Sequence, residues 1–149
     1  MYDDFPVILT YNNFLIFSAL AGQGDWEQAK VDEFADFHKD VMLLFCQFQV
    51  LCIYLPVDKK KSPETVSNAL KAAEELFPFY ERQLQAFDSG LLFPSITWAD
   101  FFVADFFETF SRAFPVIWSG YPTLQQYHQK VHSLPQLVNY LKTRKSTPN

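Results

Sequence analysis

The strongest constraint on the fold is a helix start at residues 95–100, which read Ser-Ile-Thr-Trp-Ala-Asp. The hydroxyl of Thr97 can accept a hydrogen bond from the first turn, and Asp100, three residues later, can accept one from the backbone of Thr97. Ile96 can pack against Phe101 across the same turn as a hydrophobic staple. We therefore predict a capping box and a staple, and a helix that begins at one defined residue.

The helix that follows is apolar on nearly every side, because residues 101–114 are rich in phenylalanine. Such a helix is stable only when packed neighbours surround it. We predict that it runs from Thr97 to about Ala113, ends before Pro115, and is the central buried helix of the fold.

Helical spacing of apolar residues also predicts four other helices. The first has Asp25 as its N-cap with Gln28 as box partner, and it continues to Pro56. The second begins at Ser62, bends near Leu76 because of Pro78, and runs toward residue 90, and two shorter helices cover residues 123–132 and 136–142. The predicted fold class is therefore an all-α helical bundle, with a short extended segment at the N-terminus.

Composition limits the possible partners of this chain. Its 149 residues are 49% hydrophobic and include 17 phenylalanines, which is typical of a packed domain. Twelve basic residues against 17 acidic ones give a net charge of −5, which argues against a nucleic-acid partner. The apolar run at residues 14–21 is shorter than the ~20 residues that a membrane span needs and follows acidic residues, so we expect neither membrane insertion nor secretion.

The two cysteines indicate a reducing compartment. Cys46 and Cys52 fall in one predicted helix, and six residues of helix separate them by about 9 Å, which is too far for a disulfide. We therefore expect reduced cysteines and a cytoplasmic protein.

Four segments, in order, resemble the helical C-terminal domain of cytosolic glutathione S-transferases, and sigma-class members in particular, including nematode and prostaglandin D synthase-like ones. They are the capped helix start, Leu-Ala-Gly at 20–22 with Trp-Glu-Gln-Ala-Lys-Val-Asp at 26–32, Ser-Gly-Tyr-Pro at 119–122, and Val-His-Ser-Leu-Pro at 131–135. The resemblance covers residues 20–149. It implies that residues 1–19 are a degenerate remnant of the family's thioredoxin-like N-terminal half.

The resemblance implies a role in glutathione metabolism, in which glutathione is conjugated to hydrophobic electrophiles. In that family the thioredoxin-like half holds glutathione through a Gln-Ser pair and a strand tyrosine. The Gln-Ser pair does not occur in this sequence, and Tyr2 lies in an acidic stretch without the matching context. We therefore assign no catalytic residue and expect glutathione binding and activity to be impaired in this chain alone. An incomplete gene product is a further interpretation.

The resemblance also implies a dimer, either a homodimer or a heterodimer with a full-length relative. An aspartate at the position of Asp40 then reaches glutathione bound to the other subunit. The alternative is structural, because Asp32, Asp36 and Asp40 recur at four-residue steps and are typical of a solvated acidic face.

The family's electrophile pocket corresponds to Met42, Phe102 and Phe106, which predicts binding of hydrophobic small molecules. The alternative is that this stripe is plain core. A second hypothesis for function is a non-catalytic helical module that binds partners or hydrophobic ligands.

We predict no metal site. His128 and His132 are spaced to hold zinc from one helix face, but the glutamate of a zinc protease is absent between them and no third ligand is near in sequence. We therefore expect both histidines to be solvated. His38, between Asp36 and Asp40, is likewise expected on the surface.

Overall fold

The computed structural model describes residues 20–47 and 62–143. Three predictions fall outside these residues: the extended N-terminal remnant, the end of the first helix near Pro56, and the distance from Cys46 to Cys52.

All regular structure within the described residues is helical, which confirms the all-α fold class. A central helix, α3, packs against α1, α4 and α5, and α2 packs against α1 and α5. The helices are α1 Gly24–Gln47, α2 Pro63–Gln85, α3 Trp98–Ala113, α4 Pro115–Trp118, α5 Pro122–His132 and α6 Pro135–Thr143. None of them is long and apolar enough to cross a membrane, as far as the described residues go.

The start of α1 differs from the prediction of an N-cap at Asp25 with Gln28 as its partner. The first helical residue is Gly24, two residues before the one that an N-cap at Asp25 predicts, and the carboxylate of Glu27 accepts a hydrogen bond from the backbone N–H of Gln23 at 2.7 Å. The turn before it needs Gly22, whose φ is +97° and which has no room for a Cβ, since Glu27 Cγ would lie 2.9 Å away. The turn at Gly22 thus lies directly before the helix start, and the carboxylate of Glu27 caps the backbone N–H of Gln23.

The starts of the next two helices follow the prediction. Ser62 caps α2, with its hydroxyl accepting from the N–H of Thr65 at 3.1 Å, and Thr97 is the N-cap of α3. The second helix ends at Gln85 and is continuous through Pro78. The short helix α4 was not predicted: Pro115 ends the central helix and then opens a new one, because its fixed φ suits a first helical turn.

The core is built from phenylalanine rings that meet edge to face. Phe77 of α2 is fully buried, and its ring centre lies 5.4 Å from Phe107, 5.0 Å from Phe110 and 4.9 Å from Tyr121. Aromatic pairs at these separations contribute about 0.5–1.5 kcal/mol each beyond burial. These contacts join α2, α3 and the segment before α5, and they hold α3 at the centre as its apolar sequence predicts.

Candidate functional site

The first turn of α3 is fixed by a buried carboxylate. Asp100 Oδ2 accepts hydrogen bonds from the backbone N–H of Thr97 at 2.9 Å and from its hydroxyl at 3.0 Å, and the predicted capping box is present. Asp100 Oδ1 accepts from the N–H of Leu92 at 3.0 Å, in the loop that leads to α3. Ile96 and Phe101 are both half-buried against the core, and their contact as a staple stays a prediction.

The surroundings of Asp100 act on its pKa in opposite directions. Complete burial raises the pKa of this carboxyl, while hydrogen bonds from Leu92, Thr97 and Tyr127 lower it. The hydroxyl of Tyr127 also donates to the backbone oxygen of Asp100 at 3.1 Å and so ties α5 to α3. This network determines where α3 begins.

The prediction that His38 lies on the surface is wrong. Its side chain is fully buried between α1, α2 and α3, and Nδ1 shares a hydrogen bond of 2.7 Å with the hydroxyl of Tyr80. Nε2 is buried and has no hydrogen-bond partner among the described residues. The imidazole ring also meets Phe102 at 4.7 Å and Phe106 at 5.2 Å between centres, both edge to face.

The pKa of His38 is lowered to about 4, chiefly because burial disfavours the charged ring. The backbone of Phe102 acts in the opposite direction and raises the pKa. The imidazole is therefore neutral at neutral pH. A signal for this burial exists in the sequence, since Val31, Ala35, His38 and Phe45 fall on one helical stripe.

The residues predicted to line a ligand pocket lie where α1 meets α3. Phe102 is half-buried and stacks on Trp98 at 6.3 Å, whereas Phe106 is only 3% exposed and packs against Phe45 at 5.5 Å. Met42 is half-buried against the same core. Phe102 and Phe106 are brought together around His38. Whether this wall binds a ligand stays a prediction.

Asp40 lies on the exposed acidic face of α1, together with Asp32 and Asp36. The ammonium of Lys39 lies 3.9 Å from the Asp36 carboxylate. Partial burial, and then the charge of Asp36, raise the pKa of Asp32. The glutathione-binding role of Asp40 stays a prediction.

Sequence reasoning did not predict a groove of about 850 Å³ between the N-terminal half of α1, the end of α2 and the loop that follows. Its apolar lining is mostly aromatic: Trp26, Phe34, Phe37, Phe79, Phe87, Phe93 and Pro94. Trp26 is 77% exposed and Phe79 is 46% exposed. This lining is the kind that holds an apolar ligand or a side chain of another protein.

Two cationic side chains lie above aromatic rings of this groove. Lys30 Nζ lies 5.3 Å from the ring centre of Trp26, and the Arg82 guanidinium lies 5.0 Å from that of Phe79. Lys30 also pairs with Glu33 at 2.6 Å. The groove thus offers flat apolar surfaces with charges of both signs beside them, since Glu27 and Glu33 also line it.

The prediction that His128 and His132 are solvated is also wrong. Their side chains are 14% and 26% exposed, and both face Glu108 of α3, whose Oε2 lies 3.1 Å from His128 Nε2 and 4.0 Å from His132 Nδ1. The two imidazole centres are 4.1 Å apart. Burial and then the neighbouring His132 lower the pKa of His128, against the charge of Glu108. Spacing along the sequence could not reveal this cluster, because Glu108 belongs to another helix.

Comparison with known proteins agrees with this helical arrangement. Residues 44–144 match the family described as glutathione S-transferase, C-terminal domain. Glutathione S-transferase 1 of Ascaris suum is 33% identical over 132 residues, which cover 87% of this chain and 63% of the relative. The chain therefore spans less than two thirds of the length of that relative.

Solved structures of nematode enzymes share the fold. The glutathione S-transferase from Ascaris lumbricoides superimposes with a TM-score of 0.80 at 27% identity, covering 93% of this chain and 68% of the other. A Nu-class enzyme from Haemonchus contortus has a TM-score of 0.73 at 26% identity, covering 88% and 63%. With the family match extending over most of the chain, these findings show that this chain belongs to the glutathione S-transferase family through its C-terminal helical domain.

Proposed function

We propose that this protein acts in glutathione metabolism, where its helical domain, residues 20–149, forms the hydrophobic-substrate side of a conjugation site. The single observation that carries the proposal is the family match over residues 44–144. We also propose a cytoplasmic location and a sigma-like subclass. The Nu-class relative is the alternative for the subclass.

The wall formed by Met42, Phe102 and Phe106 is the proposed contact for the hydrophobic substrate. Phe102 is the most direct candidate among them, because its ring is half-buried and lies between Trp98 and His38. Phe106 is 3% exposed and packs on His38 and Phe45, so its part is to support the wall from the core side. A flat, partly covered aromatic ring with few polar groups nearby suits a hydrophobic electrophile.

Glutathione is the proposed co-substrate, and Asp40 its proposed contact across a dimer. Asp40 is exposed on α1, where a partner subunit, either a second copy or a full-length relative, can approach it. The carboxylate suits the α-amino group of glutathione. A thiol with a pKa near 8.5 is mostly protonated at neutral pH, so conjugation also needs a hydroxyl donor. We assign no such donor here and expect low turnover by the chain alone.

Binding of S-hexylglutathione, which carries both the peptide and an apolar tail, tests this proposal. Calorimetry should detect binding, and Phe102→Ala should weaken it about tenfold, since losing part of an aromatic contact removes about 1.4 kcal/mol. Asp40→Asn should weaken binding of the peptide part, and Asp36→Asn, one turn earlier on the same exposed face, is the matched control.

Turnover of 1-chloro-2,4-dinitrobenzene should be measured in the same samples. Slow or undetectable turnover with intact S-hexylglutathione binding agrees with the proposal. A folded protein that binds neither glutathione nor its hexyl conjugate would rule it out.

A non-catalytic binding module is the second candidate, and the aromatic groove favours it. Trp26 and Phe79 expose large apolar surfaces in a groove whose charged residues carry both signs, which suits an aromatic ligand. An anilinonaphthalene sulfonate dye is a probe of such a surface. Trp26→Ala with Phe79→Ala should reduce its binding, whereas Phe102→Ala should not, so the two candidate sites can be distinguished.

A further inference from the structure

Three metal-ligating side chains meet on the side of the bundle where α3 and α5 pack together. They are Glu108 of α3 and the pair His128 and His132 of α5, and one potential ligand atom from each lies within 4.8 Å of the other two. None of the three lines the aromatic groove or belongs to the proposed substrate wall. All three are half-buried, so they are partly shielded from water and still reachable from solvent.

The separations between these atoms are close to those of ligand atoms around a small metal ion. Zinc bonds of about 2.0–2.2 Å to nitrogen and oxygen, at tetrahedral angles, separate neighbouring ligand atoms by roughly 3.3–3.6 Å. Glu108 Oε2 lies 3.1 Å from His128 Nε2 and 4.0 Å from His132 Nδ1, on either side of that range. Small rotations of the two imidazole rings would bring both distances into that range.

The contact between His128 and Glu108 is close but lacks the alignment of a hydrogen bond, and Nε2 is buried without any other partner among the described residues. A buried imidazole nitrogen that faces a carboxylate oxygen without bonding to it is poorly satisfied. A cation between the two atoms would satisfy both of them.

Neighbouring groups hold the carboxylate in position. Arg112, one turn further along α3, binds the other oxygen of Glu108, so that Oε2 is directed at the histidines. The indole of Trp118 packs edge-on against His128, with 6.0 Å between ring centres. Such supporting contacts orient ligands in metal sites.

We propose that Glu108, His128 and His132 form a zinc-binding site that links α3 to α5 and leaves the fourth coordination position open to solvent. Two imidazoles and one carboxylate suit zinc, whereas magnesium prefers sites made of oxygen alone. Spacing of four residues on one helix face brings the two imidazoles together, and the third ligand comes from the neighbouring helix.

Calorimetric titration of the full chain with Zn²⁺, and separately with Mg²⁺, tests the site. We expect one zinc per chain and no response to magnesium. His132→Asn and Glu108→Gln should each weaken zinc binding at least ~100-fold, since loss of supporting contacts alone costs 10–100-fold. Gln129→Ala, an exposed neighbour on the same helix, is the matched control and should bind as the wild type does.

Cobalt provides a second measurement, which reports the coordination geometry of the site. Co²⁺ in the wild-type protein should give the visible absorption of a four-coordinate site. The His132→Asn variant should lose this absorption while its circular dichroism still shows a folded helical protein. The chain has three histidines, and the third, His38, is fully buried. Two results would overturn the proposal. One is zinc binding that is unchanged in both ligand variants, and the other is no binding by the folded wild type when zinc is in about 100-fold excess over protein.

Discussion

The two halves of α3 each carry a carboxylate with a different task. Asp100, in the first turn, is fully buried, and its side-chain contacts include Leu92, Thr97 and Tyr127. Glu108, two turns further on, has a side chain that is 21% exposed, and it faces two histidines and Arg112. One carboxylate is enclosed by donors from the protein backbone, and the other is shared among side chains that can rearrange.

This difference separates a structural acid from an acid available to a ligand. Both oxygens of Asp100 accept backbone N–H groups that would otherwise be buried without a partner. Glu108 has one oxygen on Arg112 and the other 3.1 Å from His128 Nε2, which is buried without a hydrogen-bond partner among the described residues. Asp100 therefore serves the fold at the start of α3, whereas Glu108 is a carboxylate of α3 that remains accessible to a ligand.

The largest effect that tests this comparison is expected for Asp100→Ala. The substitution leaves the N–H groups of Leu92 and Thr97 buried and unpaired, at about 1–3 kcal/mol each, and relief of a buried charge offsets part of this. We expect the free energy of unfolding to fall by about 3 kcal/mol in urea titrations. Asp105→Ala, on the exposed side of the same helix, should change it by less than about 0.5 kcal/mol. Equal effects of the two substitutions would show that Asp100 does not hold the start of α3.

The sequence predicts the start of α3 because all the necessary signals are local. Thr97 and Asp100 are three residues apart, so their spacing alone specifies the capping box. The cluster at Glu108 has no such signal, because it forms only when α5 packs on α3. The groove was missed for the same reason, since Trp26 and Phe79 come from different helices.

His38 shows how polarity alone misleads a prediction. Its neighbours Asp36 and Asp40 are exposed, but its own position continues the apolar stripe of α1 between Ala35 and Phe45. Helical periodicity was therefore more informative than the residue type. The position of the ring between Phe102 and Phe106, and its bond to Tyr80, could not be predicted, because they depend on how three helices pack.

The next largest expected effect is a loss of stability at acid pH that is caused by His38. Its pKa is about 4 in the folded chain against 6.5 in the unfolded chain, so the unfolded chain binds a proton first as the pH falls. The contribution to stability is fully present above pH 6.5 and is lost as the pH falls toward 4, by about 3 kcal/mol in total.

Urea titrations between pH 7 and pH 4 measure this effect as a difference between variants. His38→Phe keeps a ring among Tyr80, Phe102 and Phe106 and cannot titrate, so its stability should fall less over this range than that of the wild type. His132→Asn, in the half-buried cluster of Glu108, His128 and His132, is the control. Its stability should still fall with pH because His38 is present. Parallel profiles for the wild type and His38→Phe would contradict the assigned burial of a neutral imidazole.

The smallest expected effect is that of Glu108→Gln in the absence of metal, which is the direct counterpart of Asp100→Ala. The pair formed by Glu108 and Arg112 spans one turn of α3, with side chains 21% and 54% exposed, and water and salt screen such pairs. We expect the free energy of unfolding to fall by about 0.5 kcal/mol, and by less in 0.5 M salt. A loss near that of Asp100→Ala would mean that both carboxylates of α3 are structural, and the distinction between its two halves would not hold.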